Sequence, residues 1–342
     1  MNDKNTNRER EEVLPKSEIE EYLKENFSKE QVYTIALFDI LGFSNFVKEN
    51  KTQLVLDLYQ KTVDLIEKQK SGINENGNGG YFIPVPLSNK WDTHGLTCGT
   101  CGWVNVSYFS DTFIIYMNYD LRTLGFWLRD EIKEPYPLLI GEIGTEYYPV
   151  IYSEKHSIYI SFLHTCMDFF CRAIIAGIPL RGCISTGLAT MNPYKSIFLG
   201  KPLVEAARGE SAQNSIGIAF GKSFNHSHPV YNNYFIPYLA HIKEKTLEEK
   251  NWSLKDGKFP FSPMLLDWAR YWRKYFKDID FRECINRMNT NPNFSAYYDN
   301  AVKFFDFSAK HENWFNEINR EGIKDILDYY KKTEEWYNSV SN

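Results

Sequence analysis

Two short stretches of the chain each place one aspartate at a turn between apolar, strand-like residues. Asp39 lies in residues 37–44, which read Leu-Phe-Asp-Ile-Leu-Gly-Phe-Ser, and Asp111 lies in residues 106–112, which read Val-Ser-Tyr-Phe-Ser-Asp-Thr. Mg²⁺ and Mn²⁺ prefer hard oxygen ligands, and one or two carboxylates usually hold them together with water and substrate phosphates. Two aspartates on neighbouring strand ends therefore suit a site for a metal and a nucleotide. Because aspartate is common at turns, the spacing alone also fits two turn or capping residues.

The composition excludes several classes of protein. The chain has 342 residues, of which 43% are apolar and 16% aromatic, and this is enough for a large core and for two domains. Its 39 basic and 44 acidic residues give a formal charge of −5, which argues against an extended nucleic-acid interface. The N-terminus is charged and polar, and charged residues interrupt the most apolar window, residues 159–180. Six cysteines fit a reducing compartment. We therefore expect a cytoplasmic, globular protein that contacts neither nucleic acid nor membrane.

The first aspartate follows a predicted buried strand. Residues 31–38 form a short apolar and β-branched run that is typical of a central strand. A helix is predicted to begin at about residue 44 or 51 and to end at residue 70, because leucines form an apolar stripe along it. Residues 1–30 form a polar lead-in with helical character from Ser17, where a serine is followed three residues later by a glutamate.

The second aspartate lies near the tip of a predicted β-hairpin. Residues 103–108 and 112–119 are apolar or alternating runs that flank Asp111, so the hairpin can present this side chain beside the end of the first strand. The preceding residues 71–102 are rich in Gly, Asn, Pro and Thr and indicate an insertion or long loop. The insertion contains three side chains that zinc could bind, His94, Cys98 and Cys101. A zinc site needs a fourth ligand, so the sequence leaves zinc binding open.

The remaining elements complete an α+β pattern. A long aromatic helix is predicted over residues 156–176, a strand over residues 180–187, a helix start over residues 198–208 and a short strand over residues 216–220. The order of strands and helices predicts a mostly antiparallel sheet backed by helices.

Four of these segments, taken in order, resemble the landmarks of class III nucleotidyl cyclase catalytic domains. They are residues 38–44, residues 110–112, residues 180–187 and residues 200–208, and the resemblance covers residues 31–221. It implies a ferredoxin-like class III cyclase domain with an insertion at residues 71–102, preceded by the lead-in and followed by a helical C-terminal extension. In this family the ribose 3′-hydroxyl attacks the α-phosphorus of the same nucleotide and expels pyrophosphate, with two divalent ions held by two aspartates.

The resemblance also assigns roles to residues. Asp39 and Asp111 match the metal-ligating aspartates, and the backbone carbonyl of Ile40 matches a further ligand to Mn²⁺ or Mg²⁺. The turn after Ile40 is expected to offer backbone N–H groups to the triphosphate, with Gly42 allowing close approach; its residues are Gly42, Phe43 and Ser44.

Two arginines complete the implied site. Arg208 falls at the position of an arginine that neutralises charge in the transition state, and its guanidinium suits phosphate oxygens. The family has an asparagine four residues earlier, where this chain has Val204. Arg181 matches an arginine that more often supports the metal site than contacts substrate.

The positions that read the base depart from the purine-specific pattern. Purine cyclases usually carry a lysine four residues before the second aspartate and an acidic or polar residue three before the glycine; here these are Ser107 and Ile197. The chain therefore looks most similar to the pyrimidine cyclases of bacterial Pycsar antiphage systems, which make cyclic UMP or cyclic CMP. This resemblance favours UTP over CTP as substrate, with an adenylate or guanylate cyclase and a non-catalytic nucleotide-binding module as alternatives.

The family resemblance also implies partners. Class III homodimers form two shared sites, in which the aspartates come from one subunit and the arginine from the other. A separate effector protein is expected to respond to the cyclic product. Residues 222–342 carry no recognisable motif but are rich in aromatic residues, which we expect to pack in a core or interface.

Overall fold

The structure is a computed structural model of the chain, and it describes residues 30–70, 104–118, 148–193, 195–224, 234–243, 261–318 and 326–341. The predicted N-terminal helix near Ser17 and the insertion at residues 71–102, with its three candidate zinc ligands, lie outside these residues.

One mixed sheet organises the described part of the chain. Its strands are β1 (Gln31–Ile40), β2 (Val104–Phe109), β3 (Thr112–Asn118), β4 (Leu180–Asn192), β5 (Ile197–Gly200), β6 (Gly217–Gly221), β7 (Phe235–Pro237) and β8 (Phe261–Leu266). The order across the sheet is β2-β3-β1-β4-β6-β8-β7, and β5 pairs with β4. The pairing of β4 with β6 is parallel, whereas the other pairs among these strands are antiparallel.

Helices accompany the sheet along the chain. They are α1 (Phe43–Lys48), α2 (Thr52–Lys70), α3 (Tyr148–Ala176), α4 (Lys201–Ser211), α5 (Trp268–Tyr275), α6 (Phe281–Met288), α7 (Ser295–Lys310), α8 (Trp314–Glu317) and α9 (Ile326–Val340). The predicted α+β architecture with a mostly antiparallel sheet is therefore confirmed. Within the described residues, no helix has both the length and the apolar character that a membrane crossing requires.

The central strand β1 sends alternate side chains into two clusters. Phe38 belongs to the main core, where its ring lies 5.0 Å from that of Phe169 in α3. Tyr33 and Ile35 point to the opposite face and pack in a smaller cluster. Because side chains alternate along a strand, Asp39 lies on the same face as Tyr33 and Ile35, away from the main core.

The segment after residue 221 is mixed rather than purely helical. It contributes α5 to α9, as the sequence predicts, but β7 and β8 extend the same sheet, and β8 pairs with β6. Its strand residues Met264, Leu265 and Leu266 are at most 1% exposed, so this apolar run forms a buried strand between β6 and β7. The aromatic residues pack in the core as expected: the ring of Trp268 lies 5.1 Å from that of Phe170 in α3.

The entry to α4 also differs from the prediction. Residues 198–200, predicted as a helix start, belong to β5, and α4 begins directly after Gly200. Gly200 has a φ of +154°, and a Cβ there would lie 2.5 Å from the Cβ of Ala189, so this sharp change of direction requires glycine. The Ser185 hydroxyl then donates to the carbonyl of Pro202 at 2.5 Å, which fixes α4 on the face of the sheet that carries Asp39.

Two buried histidines make stability depend on pH. Burial lowers the pKa of His164 to about 4 and that of His241 to about 3. In the unfolded chain each histidine has a pKa of about 6.5, so as the pH falls below this value the unfolded chain binds a proton more readily than the folded chain. The stability that is present above about pH 6.5 is therefore lost as the pH falls. When the pH falls from 7 to 5, we expect the unfolding free energy of the native chain to decrease by about 2 kcal/mol more than that of His241→Leu. Urea unfolding at both pH values measures this, and equal losses in the two proteins would contradict it.

Candidate functional site

The structure brings Asp39 and Asp111 together at one end of the sheet. In the antiparallel pairing of β1 with β3, Asp39 lies opposite Thr112, the residue after Asp111. The backbone N–H of Ile40 donates to the carbonyl of Asp111 at 3.0 Å, so the end of β1 is joined directly to the hairpin tip. The tip is a two-residue loop in which Ser110 has a φ of +59°, the left-handed value that such loops commonly require.

The two carboxylates repel one another. Burial raises the pKa of Asp39 above its usual value, the charge of Asp111 raises it further, and the nearby guanidinium of Arg181 lowers it only in part. Burial, and to a smaller extent Asp111, also raises the pKa of Tyr108 on β2. Repulsion by the charge of Asp111 therefore adds to the effect of burial at this end of the sheet.

Arg181 and Glu210 complete the charged cluster. Arg181 is the second residue of β4, after buried Leu180, and lies opposite Asp39. Its Nη2 atom is 3.6 Å from Asp39 Oδ2. The same Nη2 atom is 2.5 Å from Oε1 of Glu210, near the end of α4. Burial raises the pKa of Glu210 to about 7, opposed by Arg181 and reinforced by Asp39. Asp39, Asp111, Arg181 and Glu210 are called the carboxylate cluster below.

The C-terminal segment closes one side of this cluster. The ring of Tyr297, in α7, lies 5.4 Å from the guanidinium carbon of Arg181 and 5.8 Å from the ammonium of Lys243, which is a cation–π arrangement. The ring of Phe294 packs against the Gly42 turn: a Cβ on Gly42 would lie 2.8 Å from Phe294 Cε2. Residues far along the chain thus contact both Arg181 and the turn at Gly42.

Gly42 is expected to be sensitive to substitution for two separable reasons. Its φ of +74° is in the left-handed region, which an L side chain occupies at a penalty of roughly 1–2 kcal/mol, and an added methyl also displaces Phe294. Gly177 is a matched control, because its φ is +78° and nothing lies within 4 Å of its Cβ position. We expect Gly42→Ala to lower the unfolding free energy more than Gly177→Ala, as measured by urea denaturation. Equal losses would show that the Phe294 contact is unimportant.

Arg208 lies away from the carboxylate cluster of its own chain. It is exposed on α4, whereas Glu210, two positions later, is buried on the face toward the sheet. Two positions on an α-helix differ by about 200° in direction, so the two side chains point to opposite sides. Val204, at the position of the expected asparagine, lies on the exposed face with Arg208 and is 52% exposed.

The other predicted substrate contacts lie on three different elements, α1, β2 and β5. Phe43 is half-buried and Ser44 exposed at the start of α1. Ser107 pairs with Ile114 on the face that carries Asp39. Ile197 is 38% exposed and alternates with Phe198, whose ring lies 6.1 Å from Tyr116 on that face. Ile197 therefore points to the other side of β5, and the structure does not bring it together with Ser107.

The donor set fits a divalent ion that also takes ligands from a substrate. Within the described ranges, no group of three or more His, Cys, Asp and Glu side chains is arranged to hold a metal ion. Mg²⁺ and Mn²⁺ do not need such a group, because they are usually bound by one or two carboxylates plus waters and phosphates. Burial raises the pKa of Asp39 and the charge of Asp111 raises it further, and a cation placed between the two carboxylates would offset the second of these effects.

Glu210 was the charged member of the cluster that sequence reasoning did not single out. One signal was present: Arg181 is the only charged residue in the strand predicted over residues 180–187, and a charged side chain that is buried is usually paired. The sequence does not identify which carboxylate, because the partner depends on where α4 ends over β4. No feature of the sequence indicated that Tyr297 would contact Arg181 or that Phe294 would pack against the Gly42 turn.

Comparison of this chain with family models, with curated proteins and with solved structures found no match in any of the three.

Proposed function

We propose that the chain is a nucleotidyl cyclase that converts a pyrimidine nucleoside triphosphate, UTP in preference to CTP, into the 3′,5′-cyclic monophosphate and pyrophosphate. The observation that carries the proposal is the meeting of Asp39 and Asp111 at joined strand ends, linked by the hydrogen bond from Ile40 N–H to the Asp111 carbonyl. The charge of Asp111, which adds to the effect of burial in raising the pKa of Asp39, supports a cation at this place.

The topology is also compatible with the proposal. The chain order β1-α2-β2-β3-α3-β4 and the sheet order β2-β3-β1-β4 form a βαββαβ unit of ferredoxin-like type. A fold of this type hosts many functions, so we infer cyclisation from the carboxylate cluster and from the motifs that surround it.

The residues fill the roles that the reaction needs. A bond forms between the ribose O3′ and the α-phosphorus, and the bond from that phosphorus to the bridging oxygen breaks. Pyrophosphate leaves with the electron pair of that bond, and the proton of the 3′-hydroxyl passes to water. Asp39, Asp111 and the Ile40 carbonyl would hold two Mg²⁺ or Mn²⁺ ions. When bound, these ions supply Lewis-acid stabilisation of the α-phosphate, the departing pyrophosphate and the 3′-oxygen. The backbone of residues 42–44 would orient the phosphates.

A second copy of the chain would supply the remaining positive charge. Arg208 is exposed and directed away from its own carboxylate cluster, which favours a homodimer in which this arginine reaches the cluster of the partner copy. A preorganised guanidinium there stabilises the charge that develops on the phosphoryl oxygens.

The assignment of a pyrimidine base depends on the family resemblance and on the absence of a lysine at Ser107, because the structure does not bring Ile197 together with Ser107. Neither residue supplies the lysine and carboxylate that recognise adenine. Production of a cyclic pyrimidine nucleotide would fit a role as an alarm signal in antiphage defence, read by a separate effector protein.

Incubation of the purified chain with Mn²⁺ and UTP, followed by identification of cyclic UMP and pyrophosphate, tests the proposal. We expect both products in equal amounts. Cyclic AMP or cyclic GMP from the purine triphosphates alone would favour a conventional cyclase, whereas nucleotide binding without any cyclic product would favour a non-catalytic module.

A further inference from the structure

Arg181 lies between two carboxylates and is closer to one of them. Its Nη2 atom is 2.5 Å from Glu210 Oε1 but 3.6 Å from Asp39 Oδ2, a distance too long for a good hydrogen bond. The side chains of Arg181 and Glu210 are 12% and 8% exposed, so water does little to screen this pair. Glu210 is therefore the closer ion partner of the guanidinium, and among the described residues its Oε1 atom has no hydrogen-bond donor of its own.

One N–H group of the Arg181 guanidinium also has no acceptor in the part of the chain that the structure describes. Among the described residues, Arg181 Nε is buried without a hydrogen-bond partner, while the ring of Tyr297 covers the guanidinium at 5.4 Å. A buried N–H without a partner is unfavourable, and a planar guanidinium readily forms two parallel bonds with one carboxylate. If Glu210 released Arg181, the nearest carboxylate for such a pair would be Asp39.

Such a pair would compete with a cation for the same oxygens. A carboxylate that accepts two bonds from arginine has fewer lone pairs for a metal and less net negative charge around it. The separation of Arg181 from Asp39 is thus a condition for the metal-binding role of Asp39, and Glu210 is the residue that maintains it.

We propose that Glu210 is a positioning residue that draws Arg181 away from Asp39 and so keeps the Asp39 carboxylate open to a divalent cation. This inference rests on the proposed function, because it presumes that Asp39 binds Mg²⁺ or Mn²⁺. It assigns to α4 two tasks on opposite faces: Glu210 serves the cluster of its own chain, and Arg208 serves that of a second copy.

The test is the Mn²⁺ affinity of the full chain, measured without substrate by the electron paramagnetic resonance signal of free Mn²⁺. We expect Glu210→Gln to weaken Mn²⁺ binding by about 10- to 100-fold, the usual effect of removing a residue that orients a metal ligand. Glu205→Gln is the matched control on the same helix: Glu205 accepts the Ser223 N–H at 3.0 Å, outside the cluster, and we expect unchanged affinity.

A double variant separates positioning from simple loss of structure. Arg181→Met combined with Glu210→Gln removes the competing guanidinium together with its partner, so we expect the affinity to return to within about threefold of the native value. A double variant that binds Mn²⁺ as weakly as Glu210→Gln alone would overturn the positioning role. Native affinity in Glu210→Gln itself would also overturn it.

Asp39→Asn distinguishes this failure from failure of the proposed function. If Asp39→Asn loses Mn²⁺ binding while Glu210→Gln retains it, the metal site stands and only the role of Glu210 is wrong. If Asp39→Asn binds Mn²⁺ as the native chain does, both the metal site and the role of Glu210 are overturned.

Discussion

Asp39→Asn is expected to reduce the formation of cyclic nucleotide below detection while leaving the fold intact. Asparagine has nearly the shape of aspartate but lacks the negative charge that a divalent cation requires. Burial and Asp111 raise the pKa of Asp39, so ionisation of this side chain is less favourable in the metal-free protein than in the unfolded chain. We therefore expect the thermal midpoint without metal to stay the same or to rise, in contrast to the loss of turnover. Asp111→Asn is expected to lose turnover in the same way.

The control is a carboxylate outside the site. Asp57 is exposed on α2 and accepts the Gln53 amide at 2.8 Å, so Asp57→Asn changes the net charge by the same amount without touching the carboxylate cluster. Turnover by Asp57→Asn should equal that of the native chain. Near-native turnover by Asp39→Asn would refute the assignment of this residue as a metal ligand.

Arg208→Ala is expected to lower kcat by about 10²- to 10³-fold, the effect of deleting one preorganised donor to a transition-state charge. Because Arg208 is exposed on α4, its removal should leave the unfolding free energy nearly unchanged. Steady-state kinetics with the preferred triphosphate measure the effect. A rise in KM with unchanged kcat would instead make Arg208 a contact to the bound substrate in its ground state.

Mixing two inactive variants tests whether Arg208 acts on a second copy. In a heterodimer of Arg208→Ala with Asp39→Ala, one site combines the native Asp39 with the native Arg208 and the other site contains both substitutions. When equal amounts exchange freely, about one quarter of the native activity should return, since half of the dimers are mixed and each has one intact site. No recovery, despite demonstrated exchange, would argue that the arginine acts within its own chain.

The local sequence predicted the elements that carry the two aspartates. The apolar run before Asp39 forms the central strand, and the hairpin that ends at Asp111 forms as the alternating residues indicate. These predictions succeeded because a buried strand and a tight hairpin depend on residues close together in the chain. Prediction was weaker where pairing partners are distant: β5 looked like a helix start, and β8 lies in a segment predicted to be helical.

The surroundings of the aspartates depend on long-range packing, which the sequence does not encode locally. Glu210 reaches Arg181 only because Gly200 turns the chain onto the sheet and α4 then ends beside the start of β4. Tyr297 and Phe294 reach the site from more than a hundred positions away in the chain, through the packing of α7. The contacts that set the pKa of Asp39 could therefore be derived only from the folded structure.

The most direct test of the central claim is a parallel assay of UTP, CTP, ATP and GTP with Mn²⁺, in which the cyclic product and pyrophosphate are quantified by mass spectrometry for the native chain and for Asp39→Asn. We predict a 3′,5′-cyclic pyrimidine nucleotide, cyclic UMP above cyclic CMP, from the native chain and none from Asp39→Asn. The absence of cyclic product from all four triphosphates, or equal product from Asp39→Asn, would contradict the account.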